Sequence, residues 1–458
     1  MNFKPDESRC LSIARELLEQ PTAAMKEHLP MRAVRAFVRV RPELSIAQDP
    51  AGNLLVKYEP NGKKAEGGRQ KAETATQNGK KAEGGRQTAE TTMPQPSLPS
   101  AFCLLPSGSP LVLVAHLDHP SFWIESEAGG VAELNFKGGV HISHAHPGLK
   151  VRFFQTDSPE SVGVGELIAS APEAEKSPVA ALTVSTAAGG RLGSARARIA
   201  EGRAPAGGFA MWDFPGFSVE RASVPVTIPA GRDARTTPVT GAIVTRCCDD
   251  LLGAAAALCT LDALIALKSP YPLWCLFTRA EEIGFYGALE AVRHGTIPKD
   301  ACVLSLECSK ALENARQGDG VIIRVGDRAS IFNPDLTAAL CLSAETIAKE
   351  DPSFKFQRKL MDGGACEATV FCAHDFRSSG VCVPLGNYHN QATGADGKPT
   401  IGPESVNVAD FLGEIRLLTE LARHPEWLNE TAVKIPKSLL ERAEKAKELS
   451  GQYAIDDE

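Results

Sequence analysis

Three things are missing from this 458-residue sequence: a long uninterrupted apolar run, an excess of basic charge and a paired-cysteine pattern. The opening MNFKPDESRCLSIARELLEQ has no continuous apolar stretch of the kind a secretory signal needs, and reads as an amphipathic helix. The most apolar helical stretch, LGAAAALCTLDALIAL (252–267), is too short to cross a bilayer and carries Asp262, so it predicts a buried helix. Lys and Arg number 49 against 56 Asp and Glu, and the net charge of −7 argues against nucleic acid or an anionic membrane as partner. The 12 cysteines are scattered with no C-x-x-C. Cys259, Cys275 and Cys302 lie in apolar runs, where a thiol acts as a small hydrophobe, so a reduced, cytoplasmic chain is expected.

What is present is a globular composition, 43% hydrophobic and 23% charged, on a length that predicts two domains. The decamer NGKKAEGGRQ at 61–70 recurs at 78–87 inside a tract with almost nothing to bury, so 59–100 reads as a disordered insertion. Four short, almost continuously apolar runs, 110–116, 271–278, 301–307 and 379–386, predict strands covered on both faces. Helical patterns at 251–267, 284–294, 335–349 and 404–423 alternate with or follow them, which gives an α/β fold: a mixed sheet flanked by helices. From about 120 to 240 the sequence turns rich in Gly, Pro and Val with short alternating segments, the pattern of an inserted all-β domain. The expected division is therefore 1–118 and 242–458 for one catalytic domain, interrupted by a β domain at 119–241.

Each predicted strand leads into polar, chemistry-bearing residues. The first ends in His116-Leu117-Asp118, the second in Glu281-Glu282, the third in Glu307, and the fourth runs on to His389; Asp249-Asp250 opens the buried helix. The carboxyl ends of strands form the ligand crevice in such sheets, so these groups are expected to converge. Five His and carboxylate groups suit two divalent metals, zinc first and cobalt or manganese as alternatives, sharing one water. One of the two adjacent glutamates would bind metal and the other act as general base, and Asp118 is placed to orient His116.

At these motifs, AHLD, CDDLLG, AEEIGFYGA and YHN, the sequence resembles the M42 family of dinuclear metallo-aminopeptidases, relatives of the M28 and M20 peptidases. The long stretch between Asp118 and Asp249 matches the point where M42 enzymes carry a β insertion. The resemblance implies that Asp249 bridges two metals, that His116 and Glu307 complete one ion's shell and Glu282 and His389 the other's, and that Glu281 is the base. It further implies a hydroxide shared by the two metals as nucleophile, short peptides as substrates and a large homo-oligomer such as a dodecamer. Departures from the family pattern are His119 where Glu is usual, Leu251 where Arg is usual, Glu307 where Asp is common, and GGACEA (363–368) with Glu367 in place of G-G-T-D-A.

Other features carry less. Asp250 suits helix capping, His119 could meet substrate or metal, and Cys247, Cys248 and Cys366 read as packing residues. His141, His144 and His146 lie in the β insertion, as a loop or lid. The competing functions are a carboxypeptidase or N-acyl amino-acid deacylase of M20/M28 type, and a non-catalytic assembly protein on the same fold.

Overall fold

The computed structural model describes residues 3–60, 109–173, 190–220, 224–227, 236–239, 241–361, 364–429 and 437–450. The repeated tract expected to be a disordered insertion lies outside the described residues.

An 11-stranded mixed sheet organises the molecule. At its centre Leu273–Thr278, Leu111–His116, Cys302–Lys310 and Arg377–Gly386 run parallel side by side, the four strands expected from their apolar runs. On one flank Leu54–Tyr58 and Leu44–Gln48 add antiparallel; on the other come Glu404–Asn407, Ala242–Thr245 and Phe217–Glu220. Strand Val321–Asp327 pairs with both Arg377–Gly386 and Phe356–Met361.

The central strands are largely apolar because both faces are covered, and alternation sorts their residues between two cores. Leu111, Leu113 and Ala115 face a layer that includes helices Glu7–Leu18, Leu251–Ala266 and Val408–Ala422, whereas Val112 and Val114 face Ala288, Ala291 and Phe371 of helices Tyr286–His294 and Glu367–Ala373. Helix Leu251–Ala266 has 14 of its residues buried, as its composition required. One expectation is corrected: 404–407 is strand, not the first turn of a helix. Glu404 through Asn407 pair with Ala242–Thr245, and Asn407 then caps the helix by accepting the Ala409 N–H at 2.8 Å.

Between Asp118 and Asp249 the chain builds a closed antiparallel barrel of Ser121–Ala128, Val131–Lys137, Leu192–Gly202, Ser161–Pro172, Lys150–Phe154 and Phe209–Trp212. Its interior is a separate apolar cluster around Phe122, Phe136, Phe153 and Trp212, with Phe122 edge-on to both Phe136 and Trp212. Phe217–Glu220 already belongs to the large sheet. Among the described residues no helix is long and apolar enough to cross a membrane.

Candidate metal centre

Parallel strands place His116 beside Thr278, so the turn after Thr278 carries Glu281 and Glu282 to the same end of the sheet as His116 and Glu307. Asp118 ties that turn down. Its two carboxylate oxygens accept the N–H groups of Glu281 at 2.9 Å and Glu282 at 3.1 Å. Arg279 is the cation nearest the pair in sequence, yet it turns away: its Nε donates to Glu27 at 2.7 Å, and Glu27 also accepts the Ala280 N–H at 3.0 Å. The counter-charge for the glutamates is therefore not a side chain of their own turn.

Asp249 lies at the centre, 3% exposed. Its Oδ1 is 3.5 Å from His116 Nε2 and its Oδ2 is 3.4 Å from His389 Nε2, so one carboxylate faces two imidazoles with one oxygen each. His389 Nε2 is also 3.1 Å from Glu282 Oε1, and His116 Nε2 is 3.9 Å from Glu281 Oε2. Ligand atoms of His116, Asp249 and Glu307 lie within 4.8 Å of one another, as do those of Asp249, Glu282 and His389; His116, Glu281 and Glu282 form a third such group.

Hydrogen bonding on the far side of each ring fixes which atom faces inward. His389 Nδ1 is 2.9 Å from the Gly139 carbonyl, which can only accept, so Nδ1 carries a proton and Nε2 is the atom turned toward Asp249 and Glu282. His116 Nδ1 lies 3.2 Å from the Asp118 carbonyl and 3.5 Å from its Oδ1, and its Nε2 is turned likewise. Apart from the imidazoles they face, Asp249 Oδ1 and Glu282 Oε1 are buried with no hydrogen-bond partner among the described residues. Lone pairs converging in a dry site repel one another unless cations sit among them. This donor set fits two divalent metal ions sharing Asp249.

With no ion between them, the crowded groups shift one another's proton affinities. Burial pushes the imidazoles of His116 and His389 down, but the carboxylates facing them raise both well above the usual range. Burial likewise pushes the Asp249 carboxyl up, and the two imidazoles override it, leaving Asp249 below the usual range. The Glu281 carboxyl is raised well above its usual range by burial, with His116 opposing and Glu282, Glu307 and Asp118 adding to the rise. Burial lifts Glu307 to about 7 against the pull of Arg324, and lifts Glu367, at the start of helix Glu367–Ala373, to about 8.

Of the supporting groups, Glu404, Glu27 and the Gly139 carbonyl gave no signal in the sequence, whereas His119 and Asp250 stood out in it. Glu404 Oε2 accepts the Cys248 and Asp249 N–H groups at 2.6 and 3.1 Å and so aims Asp249. Glu27 and the Gly139 carbonyl do the same for the glutamate turn and for His389. His119 is buried, with Nδ1 2.7 Å from the Asp249 carbonyl and Nε2 3.1 Å from Asn390 Oδ1, which ties the bridging aspartate to the His389 loop. Asp250 caps the buried helix through the Gly253 N–H at 3.2 Å. Ala280, His389 and Asn390 all have left-handed backbones, φ 53, 54 and 61°, at the turns that present the ligands. The three barrel histidines lie apart from the cluster: His144 and His146 meet Thr400, and the His141 N–H donates to Gln391.

A sequence model of the family described as M42 glutamyl aminopeptidase matches residues 219–398, a segment holding Asp249, Glu281, Glu282, Glu307 and His389. No curated protein sequence matches the chain. Among solved structures the fold is similar to a TET aminopeptidase of a marine-sediment Thaumarchaeota archaeon, with TM-score 0.59 and 16% identity over 92% of this chain and 99% of that one. It is equally similar to an aminopeptidase of the archaeon Desulfurococcus kamchatkensis, with TM-score 0.59 and 15% identity over 94% and 99%. The TET1 peptidase of Pyrococcus horikoshii, described as assembling into a tetrahedron or a large octahedral shell, gives TM-score 0.57 and 16% identity over 90% and 99%.

Proposed function

We propose that this chain, an M42 peptidase by its segment 219–398 and by its fold, is a dinuclear metal-dependent aminopeptidase that removes N-terminal residues from short peptides. The observation that carries the reading is Asp249, with one oxygen toward each of two imidazoles and acidic partners on both sides. His116, Asp249 and Glu307 would hold one ion; Asp249, Glu282 and His389 would hold the other. Zinc suits this mixture of imidazole and carboxylate, with cobalt and manganese as alternatives. Bound there, such ions supply Lewis acidity toward a scissile carbonyl and a water.

The chain's own residues supply the rest. Among the described residues the Glu281 side chain has His116 at 3.9 Å and no hydrogen-bond donor, and its raised affinity for protons suits it to take one from water at Oε2 and return it to the departing amine. Asp118 holds Glu281 and Glu282 in register through their N–H groups, and Glu404 and His119 keep Asp249 facing both sites. The acidic cluster also gives the free N-terminal amine of a peptide its counter-charge. All 11 cysteines among the described residues are free, which supports a reducing cytoplasmic setting, and the shells named for a structural relative support a homo-oligomer.

The test is metal analysis of the purified protein together with hydrolysis of aminoacyl anilides and dipeptides against N-acyl amino acids. Two metals per chain and cleavage of free-amine substrates alone are expected. Cleavage of the N-acyl compounds alone makes the chain a deacylase instead.

A further inference from the structure

A pocket of about 470 Å³ opens where the barrel meets the main sheet, within the size range of small-ligand sites. Arg152, Ser161 and Asp213 wall it from the barrel, Gly216 from just before strand Phe217–Glu220, and Arg246 from just after strand Ala242–Thr245. Arg246 is only 8% exposed, yet among the described residues it makes no ion pair. Its Nη2 donates to the Glu19 carbonyl at 2.8 Å, and its Nε is buried with no hydrogen-bond partner. The Phe154 ring, 5.5 Å from Cζ, offsets only part of the charge. Arg152 differs, because its Nε donates to Asp213 at 2.7 Å and that pair is neutral. The three charged groups therefore leave one positive charge on the wall, and a buried charge without a counter-ion is a costly arrangement. Burial pushes the Arg246 guanidinium below its usual range, and Arg152 adds to the push. Glycine at 216 keeps the space open: a Cβ there would lie 3.0 Å from Arg246 Nη2.

We propose that this pocket binds a phosphate-type oxyanion, either inorganic phosphate or the phosphate group of a small organic ester, with Arg246 as its principal cation. The guanidinium is always charged and its fork matches phosphate oxygens, so an anion there gains charge-assisted hydrogen bonds and relieves the unpaired charge. Ser161 Oγ accepts Arg152 Nη1 at 3.3 Å, which leaves the hydroxyl hydrogen for a second oxygen of the anion. Donors from separate elements suit a tetrahedral group, whereas a carboxylate presents two oxygens in one plane. The volume exceeds what phosphate alone fills, and Pro159, Phe214 and Pro215 give an ester's carbons an apolar wall. An occupant would tie the barrel to the sheet at the segment leading to Asp249, where the Arg246 carbonyl accepts the Asn390 amide at 3.1 Å.

The holoenzyme is titrated calorimetrically with inorganic phosphate, glycerol phosphate and acetate at constant ionic strength, in wild type, Arg246→Met and Asp213→Asn. Wild type is expected to bind a phosphate probe and to hold acetate at least about 10-fold more weakly. Arg246→Met should weaken phosphate at least about 10-fold, whereas Asp213→Asn, which frees Arg152 from its carboxylate, should tighten it. Phosphate should also raise the wild-type Tm by a few degrees at about 100 times its Kd, a gain that Arg246→Met loses. Tighter binding of glycerol phosphate identifies an ester as the occupant, and tighter binding of inorganic phosphate identifies the free ion. Phosphate binding that both substitutions leave unchanged belongs to the metal centre and overturns the proposal. No phosphate binding up to about 10 mM, or acetate held as tightly as phosphate, overturns it too. Should Arg246→Met fail to fold, Asp213→Asn decides alone, and the absence of tightening there sinks the site.

Discussion

At the tip of strand Leu273–Thr278 two carboxylates leave the backbone one residue apart, and Asp118 holds both of their N–H groups. Adjacent side chains diverge, so Glu282 meets His389 at 3.1 Å while Glu281 stands 3.9 Å from His116 with a proton affinity raised by burial. Substituting them one at a time separates the roles. Glu282→Ala should leave about one metal per chain, since one shell keeps His116, Asp249 and Glu307, whereas Glu281→Ala should keep two metals and lose at least about 100-fold in kcat. Plasma mass spectrometry beside steady-state kinetics reads both, and equal metal loss in the two variants would mean that Glu281 is also a ligand. The five ligand candidates were legible because His116 and Glu307 lie toward the carboxyl ends of strands, Glu282 and His389 follow strands, and Asp249 comes just before a helix, where an α/β sheet puts its site. Glu404 was not: a buried carboxylate that accepts two backbone N–H groups looks like any other glutamate in a sequence. The Gly139 carbonyl that sets the His389 tautomer is invisible in principle, since every residue has one.

Elements were legible where one physical demand dominated. The central strands showed themselves because burial on two faces leaves little room for polar residues, and helix Leu251–Ala266 because it is almost apolar all round. Glu404–Asn407 was hidden because four residues are too few for a periodic pattern and run straight into a helix. Asp262, the one charge in that apolar helix, now has a reason. Arg9 Nη2 and Arg41 Nε donate to it at 2.7 and 2.9 Å, so it binds helix Glu7–Leu18 and the end of helix His28–Arg39 to the core. Burial pushes its carboxyl up, and the two guanidiniums prevail and hold it below the usual range. A depressed carboxylate stabilises the fold above its unfolded pKa, about 3.9, and the benefit is lost as pH falls through its lower folded value. Asp262→Asn should therefore lower Tm by a few degrees at pH 7, and the gap should close below about pH 4. A gap unchanged down to pH 3 in calorimetric scans would remove the ion-pair account. The repeated tract can be judged from the elements that flank it. Tyr58 and Val112 are partnered to Leu273 and Trp274 of the strand between them, so the ends are two strand spacings apart, roughly 10 Å, at the edge opposite the metal centre. Residues 93–110 alone can span that gap. Deleting 61–92 should leave Tm within about 2 °C and dipeptide turnover unchanged, and a larger loss in either assay would assign that tract a structural contact.

On the scale of the whole molecule, the barrel and the sheet share more than two hinges. Phe154, Phe209 and Met211 of the barrel belong to the main core, Trp123 Nε1 donates to the Ala24 carbonyl at 3.0 Å, and the Gly139 carbonyl faces His389 Nδ1. The two proposed metal shells are therefore unequal in origin. His116, Asp249 and Glu307 are oriented by the sheet and by Asp118 and Glu404, whereas the shell of Asp249, Glu282 and His389 depends on a barrel carbonyl for the tautomer of its imidazole. Removing such an orienting partner typically costs a metal site 10–100-fold in affinity. Replacing 121–212 by a Gly/Ser linker should thus lower the melting temperature, because three large apolar residues leave the main core, and should strip the ions unevenly. Titration with a chelator should take the second ion at a concentration at least about 10-fold below that needed for the first, while the intact protein releases the two closer together. Light scattering on the same sample tests the homo-oligomer proposed above, with a smaller mass expected if the barrel carries part of the assembly contact. A truncated chain that holds both ions as tightly as the parent would show that the sheet alone orients His389, and that the Gly139 contact is packing without consequence for the metal.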